Sequence, residues 1–223
     1  MRRKKTNTAA IATAVCFAIS FLFTIAVMFV DVAAIGPQGA RVGLARMNGA
    51  VRDIIGVNEM WYDITKYLGV LAILIAGAFA LYGFLQMIRK KSIFRVDYAV
   101  IMLGVIYSLT IALYVFFEVV VINVRPVIMA GEDAAQASFP SSHTMLACVI
   151  FGTAIPAFMR LSEDRKKRLI VTCACVFFVI VMIAGRLLSG VHWLSDIIAA
   201  VFISSALISL YVFLLQWSKE SVS

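Results

Sequence analysis

Apolar residues fall into six long runs that are separated by short polar connections. A transmembrane α-helix needs roughly 20 apolar residues to cross the hydrocarbon core of a bilayer. The runs that meet this length lie at about 9–30, 67–88, 97–122, 142–159, 169–186 and 193–216. The pattern predicts an all-α integral membrane bundle of six transmembrane helices, formed by a single domain over residues 1–223.

The first apolar run follows Arg2-Arg3-Lys4-Lys5, which is typical of the charged start of a secretory signal. Its apolar stretch is longer than the core of such a signal, which has about 7–15 residues. Val32-Ala33-Ala34 is an acceptable cleavage site, so removal of this run stays an alternative. We expect an uncleaved first span.

The connection from Asp31 to Lys66 is long and opens with the turn signal Gly36-Pro37-Gln38-Gly39. Apolar residues then recur at roughly helical spacing, with charged residues between them, at Val42, Met47, Val51, Ile54 and Ile55. The spacing predicts an amphipathic helix on the outer membrane interface, between spans one and two. A plain surface loop is the alternative.

Composition indicates that lipid is the solvent for much of the chain. Apolar residues make up 63% and charged residues 14%, against about 45–50% and about 25% in soluble domains. The formal charge of +8 is spread over short connections, which fits a membrane face and not a nucleic-acid groove.

The four cysteines lie within apolar runs, so we predict no disulfide. For Cys173 and Cys175, burial among apolar residues is favoured over a metal-binding pair.

The basic residues predict the orientation. If the N-terminus is inside, the inner segments at 2–5, 89–95, 160–168 and 219 hold fourteen of the twenty Lys and Arg residues. The positive-inside bias therefore places both termini in the cytoplasm. Both histidines of the chain, His143 and His192, then lie at the outer surface together with Arg125 and Arg186. Titratable groups at the edge of lipid are seldom without function.

The first candidate motif is Pro140-Ser141-Ser142-His143, which precedes an apolar run. Proline followed by serines is typical of a helix start. A helix N-terminus offers unpaired N–H groups and partial positive charge to a phosphate, and His143 is expected in the first turn. A simple helix cap is the alternative.

The second candidate motif joins Arg186, His192 and Asp196. Positions 192 and 196 are four apart, so they share one face of a helix. A carboxylate near one ring nitrogen fixes the tautomer and leaves the other nitrogen as a nucleophile or base. The planar guanidinium of Arg186 suits bidentate phosphate binding. A structural buried pair is the alternative for His192 and Asp196.

In order and spacing, Arg125-Pro126, Pro140-Ser141-Ser142-His143 and Arg186-x5-His192-x3-Asp196 resemble the three-part signature of the type 2 phosphatidic acid phosphatase superfamily. That superfamily includes bacterial undecaprenyl-diphosphate and phosphatidylglycerophosphate phosphatases, and it shares its site with vanadium haloperoxidases. The similarity covers about 72 residues and agrees with six spans.

The resemblance implies a lipid phosphatase that needs no metal or other cofactor. By this resemblance, His192 would attack phosphorus and form a phosphohistidine, Asp196 would orient it, and His143 would protonate the leaving oxygen and later activate water. The phosphate-binding groups implied are Arg125, Arg186, Ser141 and the Ser142 backbone amide.

Three positions depart from the family pattern within the motif region 118–196. Glu118 stands where the family usually has a lysine, which puts full activity or diphosphate binding in doubt. It either pairs with an arginine of the site or lies at the lipid–water boundary, and we favour the boundary. Ser142 replaces a glycine, which is a mild change, and Gly185 replaces a serine, which removes one hydroxyl donor.

The leading hypothesis is hydrolysis of a phosphate monoester or diphosphate lipid at the outer leaflet of the plasma membrane. Undecaprenyl diphosphate, phosphatidylglycerophosphate and phosphatidic acid are the substrates that the resemblance implies. The alternatives are a lipid phosphotransferase, a catalytically impaired lipid-phosphate binder, and a metal site at His143, His192 and Asp196. Two nearby arginines argue against a bound cation.

Overall fold

The computed structural model describes the backbone of residues 2–220 and the side chains of residues 6–218. Seven α-helices occur in this part of the chain. They are α1 (Arg2–Phe29), α2 (Ala45–Ile55), α3 (Glu59–Lys90), α4 (Tyr98–Val119), α5 (Ser142–Leu161), α6 (Arg165–Leu188) and α7 (Leu194–Glu220). All except α2 are long and apolar enough to cross a membrane. The prediction of an all-α bundle with six spans is therefore confirmed.

The short helix α2 follows the first span, and Pro37–Gly39 forms a turn of 3₁₀ helix before it. Its buried residues are Ala45 and Asn48. The helix lies against α7, and its C-terminus is followed by Gly56. The predicted helix between spans one and two is thus present, and the loop alternative is wrong.

The second span begins earlier than the apolar run indicated. Helix α3 starts at Glu59, about eight residues before the predicted start at 67, because the Asn58 side chain accepts a hydrogen bond from the Trp61 amide at 3.2 Å. A side-chain oxygen at this position satisfies an N–H group that the helix itself leaves free. The extra two turns carry Tyr62, Thr65 and Lys66 into the helix.

Helix α5 is the centre of the bundle and contacts α3, α4, α6 and α7. Its inward residues are mostly small or aliphatic, including Ala147, Val149 and Ala154, so the neighbouring helices approach closely. One core cluster joins α4, α5 and α7, and a second joins α3, α5 and α6. Helix α1 packs along α7 at the outside of this arrangement.

The alternating direction of the helices brings three connections to one end of the bundle, which we call the site end: residues 30–58, 120–141 and 189–193. Hydrogen bonds link these connections to one another and to helix termini. The Asn58 amide donates to Ser189 O at 3.2 Å, and the Ser141 amide donates to Asp196 O at 3.0 Å. Both candidate histidines therefore lie at the same end of the molecule.

Candidate active site

Asp196 is fully buried in the first turn of α7 and faces His192. Its Oδ2 atom lies 3.7 Å from His192 Nδ1 and accepts a hydrogen bond from the Trp193 amide at 3.1 Å. Its Oδ1 atom accepts a hydrogen bond from Asn123 Nδ2 at 3.0 Å. The carboxylate is thus held in place from both sides, with one oxygen directed at the imidazole.

Two asparagines form a framework behind this pair. Asn48 donates to Ser195 Oγ at 2.8 Å and accepts from the Ser195 amide at 3.0 Å, which fixes the start of α7 against α2. Asn123 accepts from the Gly43 amide at 3.3 Å, in addition to its bond to Asp196. Neither asparagine belongs to a motif that can be recognised in the sequence. Their partners are remote in the chain, so no local pattern reveals them.

Arg186 lies in the last turn of α6 and is fully buried, although it carries a charge. One guanidinium nitrogen donates to Thr65 Oγ1 at 3.3 Å, and the guanidinium carbon lies 5.4 Å from the centre of the Tyr62 ring. The Nε and Nη2 atoms have no hydrogen-bond partner. Helix α3 therefore orients this arginine and leaves two of its donors free.

The departure at Gly185 has a packing reason. A Cβ atom at this position would lie 2.6 Å from Thr65 Cγ2 and 3.0 Å from Trp61 Cε3. Glycine lets α6 approach α3 closely enough for Arg186 to reach Thr65. A serine at position 185 would therefore require the Thr65 or Trp61 side chain to shift.

Arg125 lies in the connection between α4 and α5, where its amide donates to Gln136 O at 2.9 Å. An isolated β-bridge between Val124 and Ala137 supports this segment. Arg125 lines a small cavity that is also lined by Glu118, Ser142 and His192. Its Nε atom has no hydrogen-bond partner.

Glu118 lines the same cavity, together with Arg125 and His192. It is exposed and lies in the last turn of α4. Among the residues whose side chains are described, no cation lies within 4.0 Å of it. Glu118 therefore forms no ion pair with an arginine of the site, but it lines the same cavity as Arg125.

The segment Pro140-Ser141-Ser142-His143 starts α5, as predicted. Ser141 is fully buried, and its hydroxyl pairs with Thr144 Oγ1 at 2.9 Å, while Ser142 lines the cavity beside Arg125. The ring of His143 packs against α3, where a Cβ atom on Gly69 would lie 3.1 Å from His143 Cδ2. The absence of a side chain at Gly69 makes room for the imidazole.

Most of the buried polar side-chain atoms that lack a hydrogen-bond partner in the described part of the chain belong to four residues: Arg125, His143, Arg186 and His192. Buried polar groups are otherwise nearly always paired, since an unpaired one costs about 1–3 kcal/mol. The unpaired atoms here are guanidinium and imidazole nitrogens. Together they make a pocket suited to an anion.

Electrostatics keep His192 neutral in the free protein. The pKa of His192 is lowered to about 4, chiefly by burial and also by the charges of Arg186 and Arg125, while Asp196 acts in the opposite direction. The ordinary value is about 6.5. At neutral pH the imidazole therefore has a free lone pair, which a nucleophile requires.

The structure brings the predicted site residues to one end of the bundle. Arg125, Ser142 and His192 share a cavity wall, Asp196 contacts His192, and Ser141 is bonded to the Asp196 backbone. His143 lies in α5 and Arg186 in α6, and the Arg186 charge acts on the imidazoles of both His143 and His192. Their roles in a reaction stay predictions.

These features define a multi-pass membrane protein with buried, unpaired guanidinium and imidazole nitrogens at one end of a helical bundle. A family model described as PAP2 superfamily matches residues 67–220, and the chain belongs to that superfamily. The resemblance stated from the motifs is therefore confirmed.

A solved structure agrees with this membership at the level of the fold. The crystal structure of the first transmembrane PAP2 type phosphatidylglycerolphosphate phosphatase from Bacillus subtilis is similar, with a TM-score of 0.64. The match covers 95% of this chain and 97% of that chain, at 15% sequence identity. No curated protein matches the sequence.

Proposed function

We propose that the chain is a lipid phosphatase that hydrolyses a phosphate monoester or diphosphate lipid through a phosphohistidine at His192. The observation that carries the proposal is the buried pair of His192 and Asp196 beside two arginines with unpaired donors. A neutral imidazole, an orienting carboxylate and fixed cations are the parts that phosphoryl transfer to nitrogen needs.

The first step forms a bond between His192 Nε2 and phosphorus and breaks the bond from phosphorus to the lipid oxygen. Asp196 accepts a hydrogen bond from the N–H group at His192 Nδ1 and stabilises the positive charge that develops on the imidazole. The present 3.7 Å separation of Nδ1 and Oδ2 is long for a hydrogen bond, and such contacts often shorten when substrate binds.

His143 donates a proton to the departing lipid oxygen. It then accepts a proton from water, whose oxygen attacks phosphorus and breaks the bond to His192 Nε2. Free phosphate leaves and both histidines return to their starting states. Arg125 and Arg186 bind the phosphoryl oxygens during both steps, as fixed donors in a site shielded from water. Ser141 and the Ser142 amide, at the N-terminus of α5, add to this binding.

A groove beside His143 supports a lipid as substrate. It has a volume of about 290 Å³ and runs between α3, α4 and α5. Its walls include Val70, Ile73 and Ile111, which are half-exposed or more on spans that cross the membrane. An apolar chain can therefore enter from the bilayer while its phosphate reaches the histidines.

The proposal includes the orientation that the basic residues predict. Both termini lie in the cytoplasm of a cell whose plasma membrane holds the protein, and the site end faces outward. The substrate then comes from the outer leaflet.

The test uses purified protein in lipid nanodiscs with a panel of phospholipid monophosphates and isoprenyl diphosphates. The wild-type chain should release phosphate from at least one of them, and His192→Ala should lower the rate by about 10³-fold or more. Elution volume and melting temperature show whether the variant keeps its fold. Undiminished turnover by folded His192→Ala refutes the mechanism.

A second measurement separates the two histidines. Labelled phosphate should appear on the wild-type chain in an acid-labile, base-stable linkage after rapid quenching. His143→Ala should still form this adduct from an aryl phosphate, because an activated leaving group needs little protonation. Failure of the aryl substrate to rescue His143→Ala contradicts the role given to His143.

A further inference from the structure

Lys66 lies in helix α3, one turn before Gly69, and lines the apolar groove together with His143 and Ser142. Among residues 6–218, no carboxylate lies within 4.0 Å of its ammonium group. The other lysines with described side chains, at 90, 91, 166 and 167, lie at the opposite end of the bundle. Its side chain is exposed near the site end of α3, so the ammonium group can line the groove and still reach the lipid–water boundary, where the phosphate of a lipid lies.

The site has two sides that meet at Ser142. The small cavity is lined by Arg125, Glu118 and His192, and the groove is lined by Lys66 and His143; Ser142 lines both. In phosphoryl transfer the attacking and leaving atoms lie roughly in line on opposite sides of phosphorus. If His192 attacks from the small cavity, Lys66 lies on the side where the leaving group and its apolar tail are held.

The charge of the leaving group then decides what Lys66 does. A lipid monophosphate releases an alcohol, which is neutral once His143 has protonated it. A lipid diphosphate releases a lipid monophosphate, which keeps the electron pair of the broken bond and carries negative charge. An ammonium group stabilises the second leaving group and has little effect on the first.

The negative charge of Glu118, on the other side of the site, also favours a tail-linked phosphate near Lys66. Glu118 lines the small cavity and would repel a second phosphate there. A diphosphate therefore fits with its terminal phosphate between His192 and the arginines, and with its tail-linked phosphate in the groove near Lys66. The lysine that the family usually carries at position 118 is absent from this chain. The ammonium group of Lys66 in α3 supplies a positive charge on the leaving-group side instead.

On the basis of the proposed function, we infer that Lys66 binds the tail-linked phosphate of a lipid diphosphate and makes diphosphates the preferred substrate class. His192 Nε2 bonds to the terminal phosphorus while the bond from that phosphorus to the bridging oxygen breaks. Lys66 pairs with the lipid monophosphate that leaves. Water then hydrolyses the phosphohistidine.

The experiment compares farnesyl diphosphate with farnesyl monophosphate, which share one tail. The wild-type chain should show a higher kcat/KM for the diphosphate. Lys66→Met should lower that value about 10- to 100-fold and change the monophosphate value by about twofold at most, as expected for loss of one charge-assisted contact. Lys66→Arg should retain most diphosphate turnover, because it restores the charge.

Elution volume and melting temperature serve as the folding control for Lys66→Met, and Lys166→Met, at the opposite end of the bundle, should leave turnover of both substrates unaffected. Equal losses on both substrates, no loss on either, or a wild-type preference for the monophosphate would overturn the inference. None of those results would contradict the proposed phosphatase activity. The proposed function would fail if the wild-type chain hydrolysed neither compound and no lipid of the panel.

Discussion

Glu118 introduces a negative charge beside groups that would bind phosphate, since it lines the small cavity with Arg125 and His192. Removal of this charge should strengthen anion binding. At a separation of several ångströms near a protein surface, one unit charge changes the binding free energy by about 1 kcal/mol, or roughly fivefold in affinity. Glu118→Gln should therefore lower the inhibition constant of orthovanadate, a phosphoryl mimic, by about 3- to 10-fold.

The matched control for Glu118→Gln is Glu163→Gln, which removes the same charge from the connection between α5 and α6 at the opposite end. It should leave vanadate inhibition unchanged. A higher inhibition constant in Glu118→Gln would show that the carboxylate orients Arg125 and does not oppose the anion.

The neutral state of His192 makes stability depend on pH. Its pKa is about 4 in the folded chain, lowered chiefly by burial, and about 6.5 in an unfolded chain. The unfolded chain thus binds more protons as the pH falls from 6.5 to 4, so this contribution is present above pH 6.5 and is lost on acidification. The loss amounts to about 3 kcal/mol at most.

The wild-type melting temperature should consequently fall more steeply between pH 7 and pH 4.5 than that of His192→Gln, whose side chain does not titrate. Thermal unfolding in detergent at matched ionic strength measures the difference. Parallel curves for the two proteins would mean that His192 is solvated or charged in the folded chain.

At the scale of single residues, the sequence indicated the candidate reactive groups but not the asparagines that position them. Two histidines in 223 residues are conspicuous, and their spacing to Arg186 and Asp196 is local. Asn123 is 73 positions from Asp196, and Asn48 is 147 positions from Ser195. Only the folded chain brings such amides to their partners.

Gly190 joins two elements at the turn between α6 and α7. It has a φ of +67°, and a Cβ atom there would lie 1.8 Å from Gly56 O. The close approach lets the Asn58 amide reach Ser189 O, which ties the start of α3 to the end of α6. Gly190→Ala should force these turns apart and displace Arg186 and His192.

Left-handed strain alone costs about 1–2 kcal/mol in a non-glycine residue, and the clash with backbone adds to it. We expect Gly190→Ala to lower the melting temperature by about 10 °C or more and to reduce activity at least tenfold. Gly131→Ala is the matched control, because Gly131 has a φ of +87° but open space around its Cα. Equal effects of the two changes would assign the loss to strain and not to the contact.

At the scale of elements, hydropathy predicted six spans because lipid-facing helices must be apolar over their whole length. It placed the start of α3 too late, since Glu59, Asp63 and Lys66 interrupt the apolar run that it detects. The capping bond of Asn58 determines that start instead. Helix α2 was predicted from its periodicity, but its hydrogen bonds to α7 were not.

The whole bundle has a direction in the membrane that its helix packing alone does not determine. The site end holds the connections at 30–58, 120–141 and 189–193, and the opposite end holds those near 91–97 and 162–164. Nine Lys and Arg residues flank the second group of connections, against six at the site end. The positive-inside bias therefore predicts that the opposite end lies in the cytoplasm and that the site end faces outward.

Single cysteines test this orientation in a chain whose four native cysteines are replaced by alanine. Asp133→Cys places an exposed thiol at the site end, and Glu163→Cys places one at the opposite end. In right-side-out membrane vesicles, an impermeant maleimide should label Asp133→Cys at once and Glu163→Cys only after permeabilisation. Because a lipid substrate is drawn from the leaflet that the groove adjoins, the reversed labelling pattern would move the proposed reaction to the cytoplasmic leaflet.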